Sequence, residues 1–341
     1  MAKLIRLSVY AAVIVCIGVV GYLAWAWNHP TKIGVKAHVV KPGTSMYAFA
    51  HALYDKGLLP DTYSLVLLAY LSGDARNLKA GEYNFEQGTT PRQLLDQVVA
   101  GRVIEYPLAL IEGWTFDQFL EAIRGASKLT QTLDGMSHAE IMARLGQADL
   151  HPEGQFYPDT YSYSAGTTDL ALLHRAFDRM QRRLKREWVA RTPDLPLQTP
   201  YEALILASIV EKETGRATER QLIAGVFINR LRAGMRLQSD PTVIYGLGPS
   251  FDGNLRRRDL KRDTPYSTYT RRGLPPTPIA MPGGDALYAV MHPAPTKALY
   301  FVSRGDGSHH FSETLQEHNN AVIKYQLGGK PQSFSSYSVT N

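Results

Sequence analysis

A single cysteine, Cys16, stands in 341 residues, which excludes an intramolecular disulfide and any zinc site built on several thiolates. His-Glu-x-x-His, Gly-x-Ser-x-Gly and Gly-x-x-x-x-Gly-Lys are missing too, and with them the spacings of zinc hydrolases, nucleophile elbows and phosphate loops. His309, His310 and His318 are the histidines to weigh as metal ligands, but neighbours on a strand point to opposite faces. No metal, nucleotide or other cofactor is expected. The body also lacks a strong charge of one sign. Of the formal +6, Lys3, Arg6, Lys32 and Lys36 supply four within residues 1–36, where no acid occurs. The remaining +2 is no footprint for a polyanion, so no nucleic-acid partner is expected. With 44% apolar residues the chain is not disordered, and its length suits roughly two domains.

Long uncharged apolar runs are equally scarce: there is one, Leu7 to Trp27. It is about as long as a helix needs to cross a hydrocarbon core of ~30 Å. Lys3 and Arg6 precede it, and Tyr22, Trp25 and Trp27 gather at its far end as an interfacial belt would. A signal peptide needs small residues before its cleavage site, whereas bulky tryptophans close this run. A retained single-pass anchor is expected, with residues 1–6 inside and the body on the outer face of a bacterial cytoplasmic membrane. Lys32 and Lys36 weaken that charge asymmetry.

The body reads as α+β. Residues 28–105 form a first unit: a strand and turn at Val39 to Ser45, helices over Met46 to Leu53 and Tyr63 to Leu71, a strand at Gly81 to Phe85, and a helix opened by Thr90-Pro91. This order resembles a LysM module, which binds N-acetylated glycans; a small domain that binds nothing is the alternative. Residues 106–328 form a larger mixed α+β domain. A strand-like run over Val103 to Ile111 leads into it, a helix follows from Phe116, and 127–150 reads as polar and helical, a lid or connector. A helix over Leu170 to Val189 presents Arg175, Arg179, Arg182, Arg183, Lys185 and Arg186 outward, either as a solvated face or toward anionic envelope polymers or lipid head groups. Residues 329–341 read as a flexible tail.

The sharpest chemical signal lies in the larger domain. Thr199-Pro200-Tyr201-Glu202 reads as a capping box with proline at the first helical position. Ala203 to Val210 is then apolar on nearly every face, the mark of a helix buried all round. It delivers Glu211-Lys212-Glu213 and stops near Gly215, before a second helix for which Thr218 to Gln221 reads as another box. A carboxyl at the C-terminal end of a buried helix is pushed toward its neutral form by desolvation and again by the helix dipole. That is what a general acid needs near neutral pH. Glu211 and Glu213 point to opposite sides of the helix. On a wheel started at Glu202, Glu213 falls at about 20°, over Ile205, Ile209, Leu206 and Val210, and so is the better desolvated. On periodicity alone, both glutamates could instead fray into solvent.

Around this helix the chain resembles the YceG-like endolytic murein transglycosylases. The likeness is carried by Ala207 to Thr214, Val226 to Leu231, Met235 to Gly246, Gly154 to Tyr161, Thr264 to Tyr269, Gly273 to Pro276 and Glu317 to Asn319. It implies that Glu213 is the catalytic acid and that the substrate is peptidoglycan. The bond cut would be the β-1,4 link from N-acetylmuramic acid to N-acetylglucosamine within a strand, leaving a 1,6-anhydro end. It further implies a membrane-anchored enzyme acting near peptidoglycan synthases, as a terminator of strand elongation. A two-carboxylate hydrolase would need a second acid, for which Asp240 and Asp159 are the candidates; otherwise Asp240 reads as a helix N-cap and Asp159 as a turn residue. Asp240 is also a candidate for holding substrate. Tyr266 and Tyr269 alternate with small residues as an extended cleft wall would, offering rings to sugars, unless they are core aromatics. Gln238, His318 and Asn319 are candidates to bond N-acetyl and hydroxyl groups, with a backbone carbonyl as the other partner for His318. The rival reading is a non-catalytic peptidoglycan tether.

Overall fold

The computed structural model describes residues 2–328, so the expected tail over 329–341 lies outside the described residues. In chain order the elements are α1 (Ala2–Asn28), β1 (Val35–Val40), α2 (Met46–Asp55), α3 (Thr62–Leu71), β2 (Gly81–Phe85), α4 (Pro91–Ala100), β3 (Glu105–Leu110), α5 (Phe116–Arg124), α6 (His138–Arg144), β4 (Asp159–Ser164) and α7 (Asp169–Val189). There follow α8 (Pro200–Glu213), α9 (Arg220–Arg232), α10 (Asp240–Leu247), α11 (Arg257–Lys261), α12 (Gly284–Met291), β5 (Tyr300–Ser303), β6 (His309–Ser312) and α13 (Leu315–Tyr325). The strands pair β1-β2, β3-β4 and β5-β6. The result is a mixed α+β fold in two compact units. Among the described residues, the first holds 2–107, 127–130 and 162–167, and the second holds the others.

In the first unit, β1 runs antiparallel to β2 with His38 opposite Tyr83 and Val40 opposite Gly81. Side chains on one face of β2, Tyr83 and Phe85, meet Phe49 and Leu53 of α2, Leu65 of α3 and Leu94 of α4 in a closed core. Ser45, Asp61 and Thr90 cap the three helices through their side-chain oxygens, as turn residues before apolar repeats should. The segment Ile5–Asn28 is long and apolar enough to cross a membrane.

The second unit is built around α8. Every residue from Ala203 to Val210 is buried, and α8 shares one core with α7, α9 and α12. Proline at the start of α8 and a Thr199 side chain accepting from Glu202 N set its beginning as expected. The reciprocal arm of the box differs, because the Glu202 carboxylate accepts from Gln198 N instead of Thr199 N. The second expected box does not form. Thr218 lies inside a single 3₁₀ turn, Ala217–Glu219, and α9 starts at Arg220 with no side-chain cap. Nor is the basic face of α7 wholly bare: Arg179 pairs with Asp159 at 2.5 Å, and Arg183 pairs with Glu187 at 2.9 Å.

Candidate active site

Glu213 is the last residue of α8, and the chain turns extended at Thr214. Its carboxyl is held from outside the helix: Ser239 Oγ donates to Oε1 at 2.5 Å. Burial pushes the Glu213 carboxyl up to about 7; the Ser239 hydrogen bond and the Arg230 cation oppose this, and the nearby Asp240 charge adds to it. The carboxyl is therefore poised to hold or release a proton near neutrality.

Ser239 is itself locked. It is buried, its amide donates to Thr268 Oγ1 at 2.9 Å, and its carbonyl accepts from Thr242 Oγ1 at 2.7 Å. The two threonine hydroxyls meet at 2.8 Å. Just before it, Gln238 sits at φ +52°, a left-handed conformation uncommon for a residue with a Cβ. Gln238 N donates to Thr268 O, and its Oε1 accepts from Arg230. Arg230 is almost fully buried and donates to the carbonyls of Leu299 at 2.6 Å and Leu237 at 2.7 Å, with its guanidinium over the Tyr300 ring. The buried cation thus fixes the 236–239 loop that carries the serine to the acid.

The other expected site residues separate into two groups. Asp240 is the first residue of α10, whose N-cap is Ser239, so it is not the N-cap. It is exposed and accepts from Tyr269 OH at 2.6 Å. Burial and the charges of Asp240 and Glu213 push the Tyr269 phenol well above its usual range, keeping it a neutral donor. Tyr266 and Tyr269 do not form an extended wall. Pro265 opens successive turns, with Ser267 N donating to Thr264 O and Thr270 N to Ser267 O. These aim Tyr266 at the ring of Tyr245 (4.9 Å) and the hydroxyl of Thr277, on the edge of the core. Gly246 permits this approach, since a Cβ there would lie 2.7 Å from Thr264 Oγ1.

His318 is bound neither to Glu213 nor, through Nδ1, to a backbone carbonyl. Its Nδ1 is buried without a partner, and the ring stacks on Tyr300 at 5.2 Å. Burial and the Arg230 charge hold its pKa down, so it is neutral. Asn319, half-buried beside it on α13, makes no hydrogen bond with the acid. Asp159 opens β4 and is engaged by Arg179.

Glu211 faces elsewhere, as a spacing of two on a helix requires. Its side chain is only 6% exposed, so it does not fray into solvent. It accepts from Gly283 N at 2.9 Å and lies 3.4 Å from Arg220, tying the end of α8 to the starts of α9 and α12. A carboxyl that sequence reasoning missed is Glu153. It is buried, accepts from Phe116 N and Tyr245 OH at 3.0 Å each, and burial pushes it up to about 8. Tyr245 belongs to α10, so Glu153 braces the helix that begins beside the acid. Arg230 and Ser239 lay within segments that carried the resemblance, but nothing local marked them as partners of Glu213.

The YceG-like family model matches residues 38–324. The chain belongs to this family. It is similar to a protein of Bacillus subtilis (strain 168) named endolytic murein transglycosylase, at 28% identity over 303 residues, covering 84% of this chain and 83% of that one. A protein of the same name from Streptococcus pneumoniae (strain D39) is 28% identical over 283 residues, 73% of this chain and 51% of that longer one. A crystal structure of a YceG-like protein from Listeria monocytogenes aligns with a TM-score of 0.53 at 28% identity, over 85% of this chain and 98% of that one. The matched residues begin at His38 in the first unit and take in the whole of α8 in the second.

Proposed function

We propose that this YceG-like protein is a membrane-anchored lytic transglycosylase that cuts peptidoglycan strands internally, with Glu213 as its catalytic acid. The observation that carries the reading is a carboxyl at the C-terminal end of a helix whose middle, Ala203–Val210, is wholly buried, held by one serine hydroxyl and pushed up to about 7 by its desolvation. The names of the Bacillus and Streptococcus relatives support murein as substrate. Glu213 gives its proton to the glycosidic oxygen, and the bond from that oxygen to muramoyl C1 breaks. The muramoyl 6-hydroxyl oxygen then bonds to C1, and its proton passes to the Glu213 carboxylate. The acid is restored, no water is consumed, and a 1,6-anhydro ring closes. Tyr269, Asp240 and Gln238 border the acid and are the residues we assign to substrate; Tyr266, His318 and Asn319 follow as outer contacts.

The helix Ile5–Asn28 supports a single-pass anchor, and Lys3 and Arg6 before its apolar run are our reason for placing the amino terminus inside. The β1-α2-α3-β2 order of the first unit supports the LysM-like reading. On this reading the enzyme works on nascent strands at the outer face of the cytoplasmic membrane, beside the synthases that extend them, and ends their elongation. Digestion of purified murein followed by mass spectrometry of the products tests the activity. Anhydro ends are expected, whereas intact murein would leave a tether.

Glu213 also sets a pH dependence. Its protonated form is the active one, so the rate should be full below about pH 7 and fall as pH rises through it. Ser239→Ala removes a bond that favours the anion, so the alkaline limb of kcat against pH should move upward. A limb that stays in place or moves down would separate Ser239 from the acid.

A further inference from the structure

Two helix faces of the first unit carry apolar surface that its core does not use. On α3, Tyr63, Leu67, Tyr70 and Leu71 recur at i, i+4, i+7 and i+8 and so share one stripe; they are 71%, 39%, 69% and 68% exposed. On α2, Tyr47 and Tyr54 are likewise exposed, and the Tyr47 ring lies 6.2 Å from that of Tyr63, which makes the two faces continuous. The start of α3, which carries this stripe, is fastened to the last turns of α1. Tyr22 OH donates at 2.5 Å to Asp61, the N-cap of α3, and Trp27 Nε1 donates at 2.8 Å to the carbonyl of Ser64. Ala26, between them, is fully buried.

A span that leaves the hydrocarbon near Trp25 and Trp27 puts these bonds at the level of the lipid headgroups. We propose that the α2–α3 face lies on the outer leaflet of the bilayer that α1 crosses, with its tyrosines among the headgroups and Leu67 and Leu71 at the acyl boundary. The inference rests on reading α1 as a retained span. Tyrosine suits such a layer because its ring is apolar and its hydroxyl stays wet. Aliphatic tips beside the rings favour lipid over sugar, since a sugar platform sets rings among polar side chains that bond hydroxyls. Docking would give this unit a second attachment to the bilayer beside α1.

Spin-label accessibility in the full chain tests this, on a Cys16→Ser background in phosphatidylethanolamine–phosphatidylglycerol vesicles. Labels are placed at Tyr70→Cys, at Ile14→Cys within α1, and at Asn84→Cys, which is exposed on the face of β2 opposite Tyr83 and Phe85. The ratio of access by oxygen to access by a water-soluble nickel complex should be highest at 14. At 70 it should be several-fold above that at 84, and adding Leu67→Glu should bring it down to that of 84. A water-like value at 70 beside a hydrocarbon-like value at 14 would reject docking and leave the anchor standing. A water-like value at 14 would reject the anchor and the docking with it. Equal values at 70 and 84, with protection of 70 by chitin oligosaccharides, would assign the face to glycan instead.

Discussion

Glu213→Gln is expected to lower murein cleavage by about 10²–10⁴-fold, the usual worth of a positioned general acid, while the fold and glycan affinity survive. The amide is isosteric, and its oxygen can still accept from Ser239 Oγ, but it has no proton to give. Circular dichroism and glycan pull-down should match the parent chain, so the loss would fall in kcat. Glu211→Gln is the contrasting variant. It keeps an acceptor for Gly283 N while weakening the pair with Arg220, so it should lose some stability and retain measurable activity. An inactive Glu211 variant beside an active Glu213 variant would reverse the assignment. The proton on Glu213 also appears in stability. The folded chain keeps a proton that the unfolded chain releases, so this contribution is full in acid and is lost as pH rises from about 4.5 to about 7.

Arg230→Ala should destabilise the second unit by roughly 3–5 kcal/mol, the cost of stripping a buried cation from the groups built around it. The carbonyls of Leu237 and Leu299 would lose their donor, and Gln238 would lose the side-chain bond that helps hold its left-handed backbone. Arg230→Lys should restore little, since one ammonium cannot reproduce a planar fork that spans two carbonyls and stacks on Tyr300. Urea titration reads the loss directly. In whatever remains folded, Ser239 should no longer hold Glu213, so activity should fall further than stability does. A variant as stable and active as the parent would dismiss this loop as the support of the site.

The acid-bearing helix was legible because local signals agreed: a proline and Thr199 at its start, a run from Ala203 to Val210 broken only by Ser208, and charge confined to its first and last turns. The wheel placed Glu211 and Glu213 on opposite sides, and the structure gives them separate partners. What surrounds Glu213 was not legible, because Ser239 and Arg230 reach it through contacts far apart in sequence. Glu153 is harder still: it sits in a loop between Pro152 and Gly154, where no periodicity signals burial. The tyrosines at 266 and 269 misled in a definite way. Alternation with small polar residues suits a strand, yet Pro265 starts turns that override it. Capping boxes also misled at Thr218, where a 3₁₀ turn takes the place of a cap and the Arg220 guanidinium turns to Glu211.

Cleavage of murein in heavy-oxygen water, followed by borohydride and mass spectrometry, tests the central claim most directly. An internal nucleophile uses no water, so the new muramoyl end should carry no label and should resist reduction as a 1,6-anhydro ring. A muramidase would send water to the same carbon with a second carboxylate as base or nucleophile. A labelled, reducible end would contradict the transglycosylase account, leave Glu213 as the acid, and turn attention to Asp240.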